Sequence, residues 1–195
     1  LIYLLLGAAT IYAASASSIL SKAAEKLAAA KSVSADYTVT ADGRTLNGSI
    51  TVAGEKFLID SREIKSWFDG KTQWTYSSEI GEVNITEPTA EELTQVNPFA
   101  IINAFRSNFN ARTVSETPTA VTIEMLPRHS GGDIKKVLLT LQRSTFFPSR
   151  IVITLSSGAP LTISIRSISE GMKLPDSYFR FTQSALPGVE VVDLR

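Results

Sequence analysis

The stretch "SVSADYTVTADGRTLNGSITV", Ser32–Val52, decides the fold. Val33, Ala35, Tyr37, Val39 and Ala41 alternate with small or polar residues, the period of a strand with one buried face. Asp42-Gly43 follows, a strong signal for a two-residue hairpin turn. Leu46, Gly48, Ile50 and Val52 then resume the alternation. With Asp42 and Gly43 as the turn, Val39 faces Leu46, Tyr37 faces Gly48, Ala35 faces Ile50 and Val33 faces Val52. Both apolar sets then fall on one side, and a slip of one residue would split them. Turn chemistry and hydrophobic pattern agree on an antiparallel hairpin.

Upstream, Ser17–Lys31 reads as a helix capped by Ser17 or Ser18, with Ile19, Leu20, Ala23, Ala24, Leu27 and Ala28 on one stripe. Downstream, "DGKTQWTYSS", Asp69–Ser78, promises a second hairpin, and both tryptophans of the chain, Trp67 and Trp74, belong to it. A two-residue turn at Asp69-Gly70 sets Trp67 opposite Thr72, Lys65 opposite Trp74 and Glu63 opposite Tyr76. Trp67, Trp74 and Tyr76 then share one face, with Ile64 and Phe68 on the other.

The β pattern breaks at Thr89–Glu92, which has the capping-box form and predicts a short helix over 90–95. Asn97-Pro98 restarts the chain as cap and first-turn proline. Phe99, Ile101, Ile102 and Phe105 predict a short apolar helix to about Arg106, so the two helices read as an inserted flap. Alternation returns at Val121–Met125, Val137–Leu141, Ile151–Leu155 and Leu161–Ile165. Keeping those sets on one face requires odd-length loops near Gly131, Phe146 and Gly158. About ten strands joined as hairpins predict an antiparallel sheet, and one so long tends to curl.

A length of 195 residues suits one domain, and 44% hydrophobic residues supply a real core. Lys plus Arg equals Asp plus Glu at 19 each, so no global field attracts nucleic acid. Cysteine is absent, which excludes disulfides, thiolate metal sites, cysteine catalysis and a lipidated cysteine. The apolar run from Leu1 to Ala13 is short for a membrane span and precedes Ala14-Ser15-Ala16, a small-x-small pattern. Residues 1–16 read as the tail of a secretory signal peptide, cut after about Ala16, which predicts an exported chain. Residues 17–195 then form the single mature domain.

Catalytic groupings are sparse. The one histidine, His129, lies in the glycine-containing loop "PRHSGGD" and reads as a solvent-exposed loop residue. Gly131-Gly132 lacks the spacing and the Lys-Ser/Thr of a phosphate loop. Glu91-Glu92 suits the first turn of a helix, where the dipole favours negative charge. Lys65, Lys71 and Trp74 are a faint version of the basic and aromatic pattern that binds single strands. We expect no enzyme, no catalytic residue, no cofactor and no metal. What remains is apolar surface, either a filled core or a face that takes up a hydrophobic ligand, and periodicity writes the same pattern for both.

Four pieces in order carry a family resemblance: the helix and "SVSADYTVT"; "DGKTQWTYSSEIGEV" with Asp69, Gly70, Trp74 and Tyr76; "NPFAIINAF" with Pro98 and Phe99; and "FRFTQSALPGVEVVDL" at the end. The chain resembles the periplasmic outer-membrane lipoprotein carrier family LolA and its LolA-like relatives. That resemblance implies a mainly β, α+β fold: an incomplete, half-open antiparallel β-barrel with an N-terminal helix and a short helical lid over an apolar cavity. It implies a monomeric carrier or chaperone that takes the acyl chains of lipoproteins from an inner-membrane lipoprotein-exporting transporter to an outer-membrane acceptor. A binding protein or sensor for another hydrophobic ligand would use the same strands. Expected at the cavity are Val33, Tyr37, Val39, Ile50 and Val52 from the first hairpin and Trp67, Trp74 and Tyr76 from the second. Phe99, Ile102 and Phe105 are expected at the lid. Many relatives carry an Arg-Pro-x-x-Phe-like stretch whose Arg tethers the lid; here "VAGEKF" places Ala53 or Gly54 there.

Overall fold

The computed structural model describes residues 15–89, 92–93, 97, 99–129, 131–156 and 158–195. They form helix α1 (Ala16–Ala29), then strands β1 (Val33–Ala41), β2 (Arg44–Ala53), β3 (Lys56–Ser61), β4 (Ile64–Phe68), β5 (Gln73–Ser77) and β6 (Glu82–Thr86). Helix α2 (Ala100–Asn108) leads into β7 (Phe109–Glu116), β8 (Ala120–Pro127), β9 (Ile134–Gln142), β10 (Pro148–Leu155) and β11 (Leu161–Glu170). Two 3₁₀ turns, Asp176–Phe179 and Gln183–Ala185, precede β12 (Glu190–Asp193). No described helix is long and apolar enough to cross a membrane.

All twelve strands join one open sheet in the order β12-β6-β5-β4-β3-β2-β1-β11-β10-β9-β8-β7. Two meanders meet where β1 pairs antiparallel with β11. Every pair is antiparallel except the last, because β12 returns from a long connection and lies parallel to β6. The sheet is therefore neither ten-stranded nor wholly antiparallel. The unforeseen β7 is an edge strand whose alternation is broken by a bulge between Thr113 and Ser115.

The first hairpin has the register its turn demands: Val39 pairs with Leu46, Tyr37 with Gly48, Ala35 with Ile50 and Val33 with Val52. Asp42 and Gly43 hold φ of 49° and 73°, the left-handed pair that matches strand twist. The second hairpin differs. Trp67 pairs with Trp74 and Lys65 with Tyr76, so four residues, not two, make the loop. Asp69 is the cause: its Oδ1 accepts from the backbone N–H groups of Lys71 (3.1 Å) and Thr72 (2.9 Å). The loop of five residues between β9 and β10, with Phe146 left-handed at φ 59°, follows the expected odd length.

Ser15, rather than Ser17 or Ser18, caps α1, its side chain accepting from the Ser18 N–H at 3.2 Å. Ala16, placed before the expected cleavage point, is the buried first residue of the helix. The other leader positions, 1–14, lie outside the described residues, as do 90, 91 and 94–96 of the expected short helix. Its capping box is present: the Glu92 carboxylate accepts from the Thr89 N–H at 2.7 Å, and Thr89 Oγ1 accepts from the Glu92 N–H at 3.3 Å. Asn97 Oδ1 accepts from the Phe99 N–H at 3.0 Å at the start of the α2 region.

The main core joins Ile19, Leu20 and Ala23 of α1 and Ile101, Ile102 and Phe105 of α2 to apolar residues on β1, β2 and β7–β11. Seven adjacent strands laid flat would span about 29 Å, six spacings of about 4.8 Å. Two helices, each roughly 10 Å across, share one core with all seven only because the sheet curls around them.

Candidate functional site

The inner face of the sheet, toward α1 and α2, is the candidate site. Paired residues share a face, so the register can be followed across the sheet. Ile50 pairs with Ile59, Ile59 with Ser66, Ser66 with Thr75 and Thr75 with Asn84, all on the inner face. Leu58, Trp67, Trp74 and Ile85 form the neighbouring row and face outward.

That row separates the expected site residues. Val33, Ile50, Phe99, Ile102 and Phe105 come together in the main core, with Tyr37, Val39 and Val52 packed against it. Trp67, Trp74 and Tyr76 share one face, as read from the sequence, but it is the opposite one. The link lies in β3: the turn at Gly54-Glu55 pairs Val52 with Phe57, which puts Phe57 and Phe68 inward and Trp67 outward. Ala53 and Gly54, at the family's tether position, belong to this turn, with Gly54 at φ 61°. Helix α1 is instead tied to β11 by Lys26, whose Nζ lies 2.9 Å from a Glu170 carboxylate oxygen.

The inner wall changes character along the sheet. It is aliphatic on β1–β2 and β8–β11. On β4–β5 it carries a polar group in which Gln73 Nε2 donates to Ser66 Oγ at 2.8 Å and to Thr75 Oγ1 at 3.3 Å. Cover is uneven too. Val33, Ala35 and Ile50 are fully buried, whereas Leu46 and Ile64, farther along the same face, are 40% and 47% exposed. Ile59 and Ile165 also line this part of the wall and were not anticipated. Ile165 and Ile168 share the face, despite their spacing of three, because β11 bulges opposite Asp36 and Tyr37.

Two hollows lined by described residues flank the wall. One of about 180 Å³ lies between the end of α1, the start of α2 and β1–β2, lined by Leu27, Lys31, Val33, Val52, Phe99 and Asn103. An apolar cavity of about 150 Å³ holds a benzene, so this space takes one small group and not a diacyl moiety. The other, about 260 Å³, lies at the far end beside Thr45, Leu46, Asn47, Ser61, Arg62 and Glu63. Between them stands Tyr37; burial, assisted by the Asp60 carboxylate, pushes its phenol up from the ordinary value. No group of three or more His, Cys, Asp or Glu placed to hold a metal occurs among the described residues.

The outer face is strapped by the C-terminal segment. Phe181 meets Trp67 with ring centroids 5.5 Å apart, and Phe179 is buried. Lys56 pairs with Asp176 at 2.7 Å and Arg180 with Asp69 at 3.0 Å. Burial alone would raise the Asp69 carboxyl, but the N–H groups of Thr72 and Lys71, with Arg180 and Lys56, hold it below the usual range.

The family model described as "Outer membrane lipoprotein carrier protein LolA" matches residues 6–157. An uncharacterized conserved protein from Thermus thermophilus is similar in structure at a TM-score of 0.64 and 13% identity, covering 91% of this chain and 98% of that one. A LolA superfamily protein from Nitrosomonas europaea aligns at 0.47 and 17% identity, covering 87% and 99%. MucB, in its complex with MucA from Pseudomonas aeruginosa, aligns at 0.43 and 16% identity, over 84% of this chain and 61% of that one. No curated protein matches the chain in sequence.

Proposed function

The chain belongs to the outer-membrane lipoprotein carrier protein LolA family, and from that premise we propose that it is a periplasmic carrier that shelters the acyl chains of lipoproteins against its inner wall. One observation carries this reading: an aliphatic wall on β1–β2 and β8–β11, covered by two helices at one end and left partly bare at Leu46 on β2. Neither of these two hollows holds a diacyl moiety, and in this reading acyl chains enter by taking the place of helix side chains on the same wall.

The magnitudes suit exchange. Burying a methylene gains roughly 0.8 kcal/mol, so a dozen recover about 10 kcal/mol. Lifting α2 re-exposes Phe99, Ile101, Ile102 and Phe105, at about 1.5–3 kcal/mol each, or roughly 6–12 kcal/mol. Loading and release then differ by little, as a carrier that hands on its cargo requires. Apolar walls suit that task, and no bond is made or broken. An inner-membrane transporter supplies the cargo in this reading, and an outer-membrane acceptor receives it.

The test is extraction. Vesicles carrying an acylated lipoprotein are mixed with the protein, and the soluble fraction is assayed. The parent releases the lipoprotein, and a folded variant with Phe99→Asp and Phe105→Asp does not. No release by the parent, with no lipid co-purifying, would mean that the wall is only a core.

A further inference from the structure

We propose that the Tyr37 hydroxyl is a specificity-determining hydrogen-bond donor on the inner wall, selecting lipids whose chains are joined through an ester or amide carbonyl. This rests on the reading of the inner wall as an acyl-chain site, and it says which chemistry the wall recognises.

Tyr37 stands among aliphatic neighbours. Along β1 it is followed on the same face by Val39, and across the sheet it pairs with Ile165. Its ring packs against the core, while its hydroxyl makes no hydrogen bond to any described residue and is open to solvent, where a ligand can displace water from it. A phenol brought into an apolar surface normally finds a partner for its O–H. Here that partner can come from a ligand.

Gly48 keeps the space for this ring. A Cβ at position 48 would lie 2.8 Å from Tyr37 Oη, 2.9 Å from Cζ and 3.2 Å from the Asp60 carbonyl oxygen. Gly48 has no left-handed φ, so space alone explains the glycine. Its other register partner is Ser61, on the rim of the 260 Å³ hollow with Thr45, Asn47, Arg62 and Glu63. By register Tyr37 therefore stands at the seam between the aliphatic wall and a hollow edged by these polar residues and Leu46. An acylated molecule has its carbonyls at that seam, where its chains join its head. Burial keeps the phenol protonated, so it serves as a donor at any physiological pH.

The test uses the full chain and two water-dispersible lipids of equal chain length, 1-palmitoyl-lysophosphatidylcholine (ester) and 1-O-hexadecyl-lysophosphatidylcholine (ether), titrated by calorimetry below their micelle concentrations. The parent should bind the ester about 2- to 12-fold more tightly, the range one net hydrogen bond gives. Tyr37→Phe should lose that preference while keeping the affinity for the ether. Gly48→Ala, which keeps the hydroxyl but displaces the ring, should lose it as well. A parent without ester preference, or a Tyr37→Phe variant that keeps it, overturns the assignment and leaves the carrier reading intact. A parent that binds neither lipid overturns both.

Discussion

Trp67 meets Phe181 edge-on at 5.5 Å, while its neighbour Phe68, on the opposite face, stacks on Phe57 at 5.2 Å. One strand thus serves two layers, with Trp67 docking the C-terminal strap and Phe68 turned inward. Trp67 is 5% exposed, so Trp67→Ala should cost about 3–5 kcal/mol in chemical denaturation. It should also speed proteolysis within residues 171–189. Lipid extraction per folded molecule should stay unchanged, and a selective loss of extraction would place Trp67 at the ligand after all.

Acid should loosen the strap. Asp69 and Asp176 are both held below the usual carboxylate range: Asp69 by the backbone N–H groups and cations that outweigh its burial, Asp176 chiefly by the Lys56 side chain. A group depressed in the fold stabilises above its unfolded value, about 3.9 for Asp, and that contribution is lost as pH falls through the folded value. Asp193, brought to about 2 by hydrogen bonds from Arg195, follows the same sign. In a Trp74→Phe background, Trp67 fluorescence should be flat from pH 7 to 5 and change below about pH 4. A change centred near pH 6 would contradict this assignment.

Phe146 holds a left-handed backbone, uncommon for a bulky residue, beside α1, with Lys22 Nζ 5.6 Å from its ring centroid. Substituting Ala and Gly separates backbone from side chain. Both lose the ring, but only Ala retains the left-handed penalty, so Phe146→Gly should be about 1 kcal/mol more stable than Phe146→Ala. Equal midpoints in urea would remove the backbone argument.

Lys26 links α1 to Glu170 and lies 5.4 Å from the Phe147 ring centroid. The ion pair is partly exposed, so Lys26→Met should cost no more than about 1 kcal/mol. It should still raise the rate of lipid uptake, because α1 covers the wall. Unchanged uptake kinetics would show that α1 does not govern access.

The first hairpin was fully legible because Asp42-Gly43 fixes both turn and register. The second misled by one backbone choice, as Asp69 turns its carboxylate onto two N–H groups and lengthens the loop. Face assignments within each hairpin held, but joining them needed β3, whose Gly54-Glu55 turn carries the missing link. Bulges at β7 and β11 and the parallel return of β12 leave little trace in local periodicity, because each depends on a distant partner. The burial of Ile102 and Phe105 on α2, and of Phe99 just before it, was readable from helical spacing. Tyr37 stood out in the sequence only as an apolar-face residue, and its contact with Gly48 shows what the glycine is for.

In the proposed carrier, acyl chains and helix side chains compete for one wall. Hydrogen exchange on the full chain, with and without bound acylated lipoprotein, tests it most directly. Exchange in α2 (Ala100–Asn108) should quicken on loading, with β1 and β2 as protected as before. Bound lipoprotein with α2 unchanged or more protected would contradict it.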